Sequence, residues 1–135
     1  MNIPEATKNF DDWNTLKKKL DENRRAVIFK ERDVWWCSIG LNVGHEENGK
    51  NQFFTRPVLV VRKFNRHLFF GIPLTTKIKE NKYYHRITFK DEGQCAMLSQ
   101  LKIFESKRMR SRMGELPHRQ FNEIRKKIAE MILGE

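Results

Sequence analysis

A small polar loop runs into an apolar stretch at Arg56-Pro57, and this junction is where the sequence holds most chemical promise. Proline lacks an N–H and belongs at the start or the edge of a strand, so Arg56 is expected where loop meets sheet. A guanidinium stays charged near neutral pH, and its planar fork of donors matches two phosphate oxygens. The junction therefore predicts a phosphate site, with an ion-paired structural arginine as the alternative.

The loop before this junction, Gly44-His45-Glu46-Glu47, contains a candidate for proton transfer. An unperturbed imidazole titrates close to neutral pH, which makes His45 the candidate. The alternative is a histidine that only hydrogen-bonds the turn or touches a ligand. Cys37 and Cys95 lie in apolar segments without CxxC spacing or a histidine in ligand register, so we expect buried thiols. The sequence predicts no metal site and no cofactor.

The balance of charge restricts the partners. The 135 residues carry 27 Lys and Arg against 17 Asp and Glu, a net charge of +10, which favours a polyanion or an acidic protein. This length fits one domain spanning 1–135. No apolar run approaches the roughly 20 residues needed to cross a bilayer, and the first residues lack a signal-peptide pattern. We expect a cytoplasmic protein without a membrane partner.

Hydrophobic periodicity predicts two helices. Apolar residues recur every three or four positions from Phe10 to about Asn23, which indicates an amphipathic helix within an N-terminal extension over residues 9–28. A C-terminal helix is expected to open at Pro117 and end before Gly134. Its apolar face would consist of Phe121, Ile124, Ile128 and Ile132.

The middle of the chain changes to short β-branched and aromatic runs separated by turn residues. Five such runs predict strands: Asp33–Ile39, Arg56–Val61, His67–Ile72, Tyr83–Phe89 and Cys95–Phe104. The basic cluster Arg108, Arg110 and Arg112 is interpreted as a solvated loop. The pattern favours a mainly β, α+β protein: a small antiparallel sheet curled toward a barrel, with the C-terminal helix docked on it.

Several of these segments together resemble a known family. Gly44-His45-Glu46 followed by Arg56-Pro57-Val58-Leu59-Val60-Val61 is similar to the signature of the PemK/MazF family, the Kid-like toxins of bacterial toxin–antitoxin modules. Asp33–Trp36, Ile72–Thr76 and Leu98–Lys102 resemble further family strands in order and spacing. The resemblance covers roughly residues 30–133, so the N-terminal helix looks like an addition to the usual core.

The resemblance implies an SH3-like barrel of the CcdB/PemK kind that works as a homodimer. It also implies a metal-independent endoribonuclease that cuts single-stranded RNA by 2′-hydroxyl attack, and a cognate antitoxin whose acidic, largely disordered tail blocks the basic cleft. By motif position, Arg56 would bind the phosphate and Thr75 would hold the 2′-hydroxyl, while His45 is the neighbour that could carry protons.

Other residues would contact the substrate. Glu46 would orient Arg56 or His45, and Thr76 is an alternative to Thr75 because one step of register exchanges their faces. Some family members carry an Arg-x-Asp pair where this chain has Met97 and Ser99. This chain therefore resembles the branch that relies on Arg56 and Thr75, and Ser99 is either a hydrogen-bond donor to the substrate or a buried structural serine. The remaining candidates for RNA contact are Gln100, Lys50 and Lys77.

Two other functions fit the same composition. A non-nucleolytic toxin of this fold would bind DNA gyrase, as the related CcdB toxins do, and would not need Arg56 and Thr75 together. A non-catalytic nucleic-acid-binding module would need the positive charge but not the threonine.

Overall fold

The computed structural model describes residues 8–22, 27–44, 46–51 and 53–134. Position 45, and with it the predicted role of His45, lies outside the described residues. In the described part, helix α1 spans Phe10–Glu22 and helix α2 spans His118–Leu133. The strands are β1 Asp33–Ser38, β2 Thr55–Lys63, β3 Leu68–Thr75, β4 Tyr84–Phe89, β5 Glu92–Met97, β6 Lys102–Glu105 and β7 Met109–Glu115. These elements confirm the α+β class and both predicted helices.

All strand pairs are antiparallel, and the sheet runs in the order β4-β5-β3-β2-β1-β7, with β6 paired to β3. The prediction of one strand over Cys95–Phe104 was wrong. A 3₁₀ turn at Leu98–Gln100 divides that segment into two strands, β5 and β6, which pair with opposite ends of β3. Thr75 pairs with Cys95 in β5, and Phe69 pairs with Phe104 in β6.

The interpretation of the basic cluster as a solvated loop was also wrong. Arg110 and Arg112 belong to β7, in which Arg112 pairs with Trp35 of β1. Met109 is buried, whereas Arg110 and Arg112 are exposed, so their charges face solvent from a strand rather than from a loop. The Nε of Arg112 donates to Oδ1 of the buried Asp33 at 3.1 Å, so the charge that suggested a loop instead neutralises a carboxylate.

The sheet curls but does not close into the predicted barrel. Its edge strands β4 and β7 approach without a ladder among the described residues: a Cβ added at Gly114 would lie 3.2 Å from the Phe89 ring. The side chain of Gln120, in α2, covers part of the free edge of β4. Gln120 accepts a hydrogen bond from the Thr88 N–H at 2.8 Å and donates to the Thr88 carbonyl at 2.9 Å. Such cover protects an edge from further pairing.

The two faces of the sheet carry separate apolar clusters, and β2 contributes alternate residues to each. Val58 and Val60 lie in one cluster, and Leu59 and Val61 lie in the other. The second cluster also receives Phe121, Ile124 and Ile128 of α2, whereas Ile132 is 69% exposed, so the predicted apolar face ends one turn early. Neither described helix is long and apolar enough to cross a membrane.

Close packing around Gly71 of β3, within the cluster that contains Val58, gives a test of the fold. A Cβ there would lie 2.7 Å from Val58 and 2.8 Å from Phe104, which are both buried. We expect Gly71→Ala to lower the free energy of unfolding by about 1–3 kcal/mol, because the core would be overpacked. Gly93→Ala in β5 is the matched control, since its nearest neighbour would lie 3.9 Å away. Urea denaturation measures both, and equal stabilities would contradict this packing.

Candidate active site

The loop joining β1 to β2, residues 39–54, folds back on itself through main-chain hydrogen bonds. The N–H groups of Ile39 and Gly40 both donate to the Phe54 carbonyl, at 3.0 and 3.1 Å, and the Gly49 N–H donates to the Gly40 carbonyl at 2.7 Å. Asn42 ties the centre of this β1–β2 loop. Its side-chain amide donates to the Glu47 carbonyl at 2.6 Å, and its N–H donates to the Asn48 side chain at 2.6 Å.

Arg56 is the second residue of β2, and its side chain contacts this loop, which anchors the guanidinium. Nε donates to the Asn48 carbonyl at 2.7 Å, and Nη2 pairs with the Glu47 carboxylate. Only 11% of the Arg56 side chain is exposed. Both contacts come from the loop, which therefore sets the orientation of the fork. The predicted position of Arg56, at the junction of loop and sheet, is confirmed.

Thr75 ends β3 on the strand next to Arg56. The last pair of the β2–β3 ladder at this end joins Val58 to Pro73, and continuing its register by two residues would set Arg56 opposite Thr75. Residues opposite each other share a face of the sheet. The Thr75 hydroxyl oxygen accepts a hydrogen bond from the Lys77 N–H at 3.2 Å, which leaves its proton for donation.

The predicted substrate-contacting residues fall into two groups. A hollow of about 280 Å³ is lined by Arg56 and Thr75 together with the predicted Lys50 and Thr76, and also by Trp36 and Gln94. A second hollow of about 390 Å³ is lined by the predicted Glu46, Ser99 and Gln100 together with Lys102. Lys77 is exposed and touches the site through its main-chain N–H.

Glu47 connects the two groups, and this role was not predicted. Its carboxylate pairs with Arg56, while its N–H donates to the Gln100 side chain at 3.2 Å. The acid proposed from sequence to orient Arg56, Glu46, instead accepts a hydrogen bond from the Val43 N–H at 3.1 Å. Two adjacent acids carry no sequence signal that separates them; the fold of the loop decides which one faces the arginine.

Positive charge near the second hollow comes from the exposed Lys102 and the half-buried Arg108. Burial lowers the pKa of Lys102, the charge of Arg108 lowers it further, and Glu46 opposes both effects. Burial likewise lowers the pKa of Arg108. Among the described residues, no three His, Cys, Asp or Glu side chains are grouped so that they could hold a metal ion.

The fold has clear structural relatives, among them MazF proteins. A crystal structure of MazF from Deinococcus radiodurans is 18% identical over 81% of this chain and 99% of that chain, with a TM-score of 0.65. An endoribonuclease from a mycobacterial species, solved with its cognate antitoxin, is 16% identical over 79% and 96%, with a TM-score of 0.58. The Mycobacterium tuberculosis toxin MazF-mt6 is 11% identical over 75% and 96%, with a TM-score of 0.57. At these identities the likeness defines the class of fold.

The family follows from the sequence match. The model of the PemK-like, MazF-like toxins of type II toxin–antitoxin systems matches residues 30–132, and the chain belongs to this family. A comparison with curated protein sequences gave no match. The resemblance inferred from the motifs is therefore confirmed, and α1 lies outside the matched range.

The pairing of Arg56 with Glu47 predicts unequal effects of neutralising the two adjacent acids. Glu47→Gln should lower the free energy of unfolding by about 1–3 kcal/mol, because it leaves a mostly buried guanidinium without its counter-charge. Glu46→Gln is the control and should change it by less than about 0.5 kcal/mol, as usual for an exposed position. Urea denaturation of the two variants checks this, and a larger loss in Glu46→Gln would refute the assignment.

The two cysteines give a pH-dependent prediction. Both are buried free thiols, as the sequence predicts, and burial raises the pKa of Cys37 well above its usual range. We expect neither thiol to react with a disulfide reagent in the native protein, and both to react after denaturation.

The stabilisation that comes from keeping Cys37 protonated is complete below the unfolded-state pKa of about 8.5. It should decline as the pH rises further, which denaturation at increasing pH measures.

Proposed function

We propose that this type II toxin acts as a metal-independent endoribonuclease that cuts single-stranded RNA, chiefly mRNA, at specific sequences in the cytoplasm. The observation that carries the proposal is the placement of Arg56: anchored by the β1–β2 loop, almost buried, and in register with Thr75 on the next strand. A fixed cation beside a hydroxyl donor is the arrangement that phosphodiester cleavage by an internal nucleophile requires.

The reaction needs no group outside the RNA to form the new bond. The 2′-oxygen attacks the adjacent phosphorus, the bond from phosphorus to the 5′-oxygen breaks, and a 2′,3′-cyclic phosphate and a 5′-hydroxyl result. The 2′-hydroxyl loses one proton and the departing 5′-oxygen gains one, so the step is balanced. Addition of water to the cyclic phosphate would then give a 3′-phosphate. The protein has to align the atoms, stabilise negative charge and move these protons.

Arg56 stabilises the charge. Its guanidinium would hold the nonbridging oxygens of the scissile phosphate and support the departing 5′-oxygen, where negative charge accumulates in the transition state. The phosphate must compete with the Glu47 carboxylate for the fork. We propose that Glu47 keeps the fork oriented between turnovers and yields Nη2 when RNA binds, while the Asn48 carbonyl retains Nε.

Thr75 positions the nucleophile. Because the Lys77 N–H already donates to its oxygen, the hydroxyl is directed to donate its own proton to the 2′-oxygen or to a phosphate oxygen. Threonine is a poor base, so proton removal falls to His45, which the β1–β2 loop carries. Lys50 and Thr76 line the same hollow as Thr75 and would hold the neighbouring phosphates.

The second hollow would hold the nucleotides next to the cut. Ser99 and Gln100 offer a hydroxyl and an amide that can hydrogen-bond base edges, and Glu46 offers acceptors for amino groups on bases. Lys77 adds positive charge near the scissile bond. Sequence specificity would come from these contacts, because contacts to the phosphates alone carry no base information.

The toxin would work as a homodimer and be neutralised by a cognate antitoxin. Two structural relatives were solved with a partner protein: the mycobacterial endoribonuclease with its cognate antitoxin, and MazF with MazE from Deinococcus radiodurans. The net charge of +10 suits an acidic antitoxin segment that competes with RNA for the same surface.

Cleavage of a long single-stranded RNA in excess EDTA tests the proposal. Wild type should give discrete cuts with 5′-hydroxyl ends, Arg56→Ala should be slower by about 100-fold or more, and Thr75→Val by about 10- to 100-fold. Arg66→Ala, in the turn between β2 and β3, and Thr88→Val, on β4, are matched controls and should cut at the wild-type rate.

Two results would contradict the proposal. Absence of wild-type cleavage across varied RNAs would rule out the endoribonuclease activity. Gyrase binding or simple nucleic-acid binding would then be the function to test. Wild-type rates in Arg56→Ala, or cuts that depend on added metal, would place the chemistry elsewhere.

A further inference from the structure

Helix α1 lies outside the range matched by the family, and its packing is concentrated on a single residue. Trp13 is buried, with 6% of its surface exposed, whereas Phe10 is 46% exposed. Leu16 and Leu20 are only half-buried, so the apolar stripe predicted from sequence is covered in part. A hollow of about 360 Å³ separates part of α1 from the 3₁₀ turn at Ser106–Arg108. A helix that only extended the hydrophobic core would bury its whole apolar face, whereas α1 fully buries only the Trp13 indole.

The surface beneath Trp13 is the β1–β2 loop. A Cβ added to Gly40 would lie 2.0 Å from the Trp13 ring, so the indole rests directly on that glycine. The Trp13 and Phe54 rings are 5.7 Å apart. Gly40 and Phe54 are the residues whose main-chain groups close the two ends of the loop. Trp13 therefore covers the hydrogen bonds that define the loop.

Further contacts hold α1 in this position. The Lys8 ammonium, just before the helix, donates to the carbonyls of Asn42 at 2.9 Å and Gly44 at 3.3 Å. The Arg108 guanidinium lies 5.7 Å from the centre of the Trp13 ring and donates to the Ser38 carbonyl at 3.2 Å. Near the end of the helix, Lys107 donates to the Asp21 carbonyl at 2.8 Å. The helix is thus attached at its start, middle and end.

A short series of contacts leads from the helix to Arg56. Lys8 holds the main chain at Asn42, Asn42 holds Glu47 and Asn48 through its side chain and N–H, and these two residues hold the guanidinium. A loop of this length, if unsupported, would sample several conformations, and Glu47 and Asn48 would carry Arg56 with them.

We propose that α1 is a clamp on the β1–β2 loop, and that Trp13 and Lys8 are positioning residues that keep Arg56 in its phosphate-binding geometry. The part concerning Arg56 rests on the function proposed above. The part concerning the loop is independent of any activity, so the two can fail separately.

Hydrogen exchange and RNA cleavage on the full chain test the clamp. In Trp13→Ala the N–H groups of Gly40 and Gly49 should exchange about tenfold faster or more, because their hydrogen bonds lose their cover. The turnover number should fall about 10- to 100-fold with little change in KM, since a displacement of about 1 Å is costly in the transition state. Trp13→Phe should recover most of both.

Two controls separate the clamp from general destabilisation. Phe10→Ala removes an exposed aromatic ring from the same helix and should leave exchange and turnover within about twofold of wild type. Lys8→Met removes the ammonium without threatening the fold, and should speed exchange at Gly49 more than Lys18→Met, whose ammonium has no loop contact among the described residues.

Each outcome decides one part. If Trp13→Ala folds and its loop exchanges like wild type, the clamp is overturned whatever happens to cleavage. If exchange rises but turnover does not fall, the link to Arg56 is overturned. If wild type cuts no RNA, the proposed function fails, and faster exchange in Trp13→Ala would still support the clamp.

Discussion

The anchoring of Arg56 by its own loop is the constraint on which the rest of the site depends. A guanidinium loses much of its hydration when only 11% of its side chain is exposed, and the cost is recovered only if its donors are bonded. The Glu47 carboxylate and the Asn48 carbonyl supply those bonds, but both lie on a loop. The orientation of the arginine therefore depends on the conformation of the β1–β2 loop.

The architecture around the loop serves this requirement. Strands β2 and β3 bring Arg56 and Thr75 to the same hollow just beyond the end of their ladder, and Asn42 fixes the segment that carries Glu47 and Asn48. The curled sheet needs support at its edges, which Gln120 provides at β4. The ion pair between the buried Asp33 and the exposed Arg112 couples β1, the strand that precedes the loop, to β7. Stability and positioning are thus carried by the same strands.

Local pattern predicted the parts of the fold that depend on neighbouring residues. The period of the N-terminal helix, the five apolar runs and the position of Arg56 beside Pro57 were all readable from short stretches. β7 was missed because Arg108, Arg110 and Arg112 suggested a solvated segment, although Met109 and Met113 lie at alternate positions of the strand. The division of Cys95–Phe104 was missed because a single apolar run does not reveal that its halves pair with opposite ends of β3.

The site was less predictable because its contacts are long-range. Motif resemblance pointed to Arg56 and Thr75, but their opposition arises from a register between strands, and a shift of one residue would turn Thr76 to that face instead. Glu47 rather than Glu46 pairs with the arginine because of the conformation of the β1–β2 loop, which Asn42 fixes through its hydrogen bonds to Glu47 and Asn48. The contact of Trp13 with Gly40 joins residues whose types suggest packing and nothing about the site.

A crystal structure with an uncleavable RNA, methylated at its 2′-oxygens, would show directly whether Arg56 binds the scissile phosphate. We expect a phosphate bonded to the Arg56 fork in place of the Glu47 carboxylate, with the Asn48 carbonyl still on Nε and a 2′-oxygen beside the Thr75 hydroxyl. RNA bound elsewhere on the sheet, with the pair of Arg56 and Glu47 intact, would contradict it.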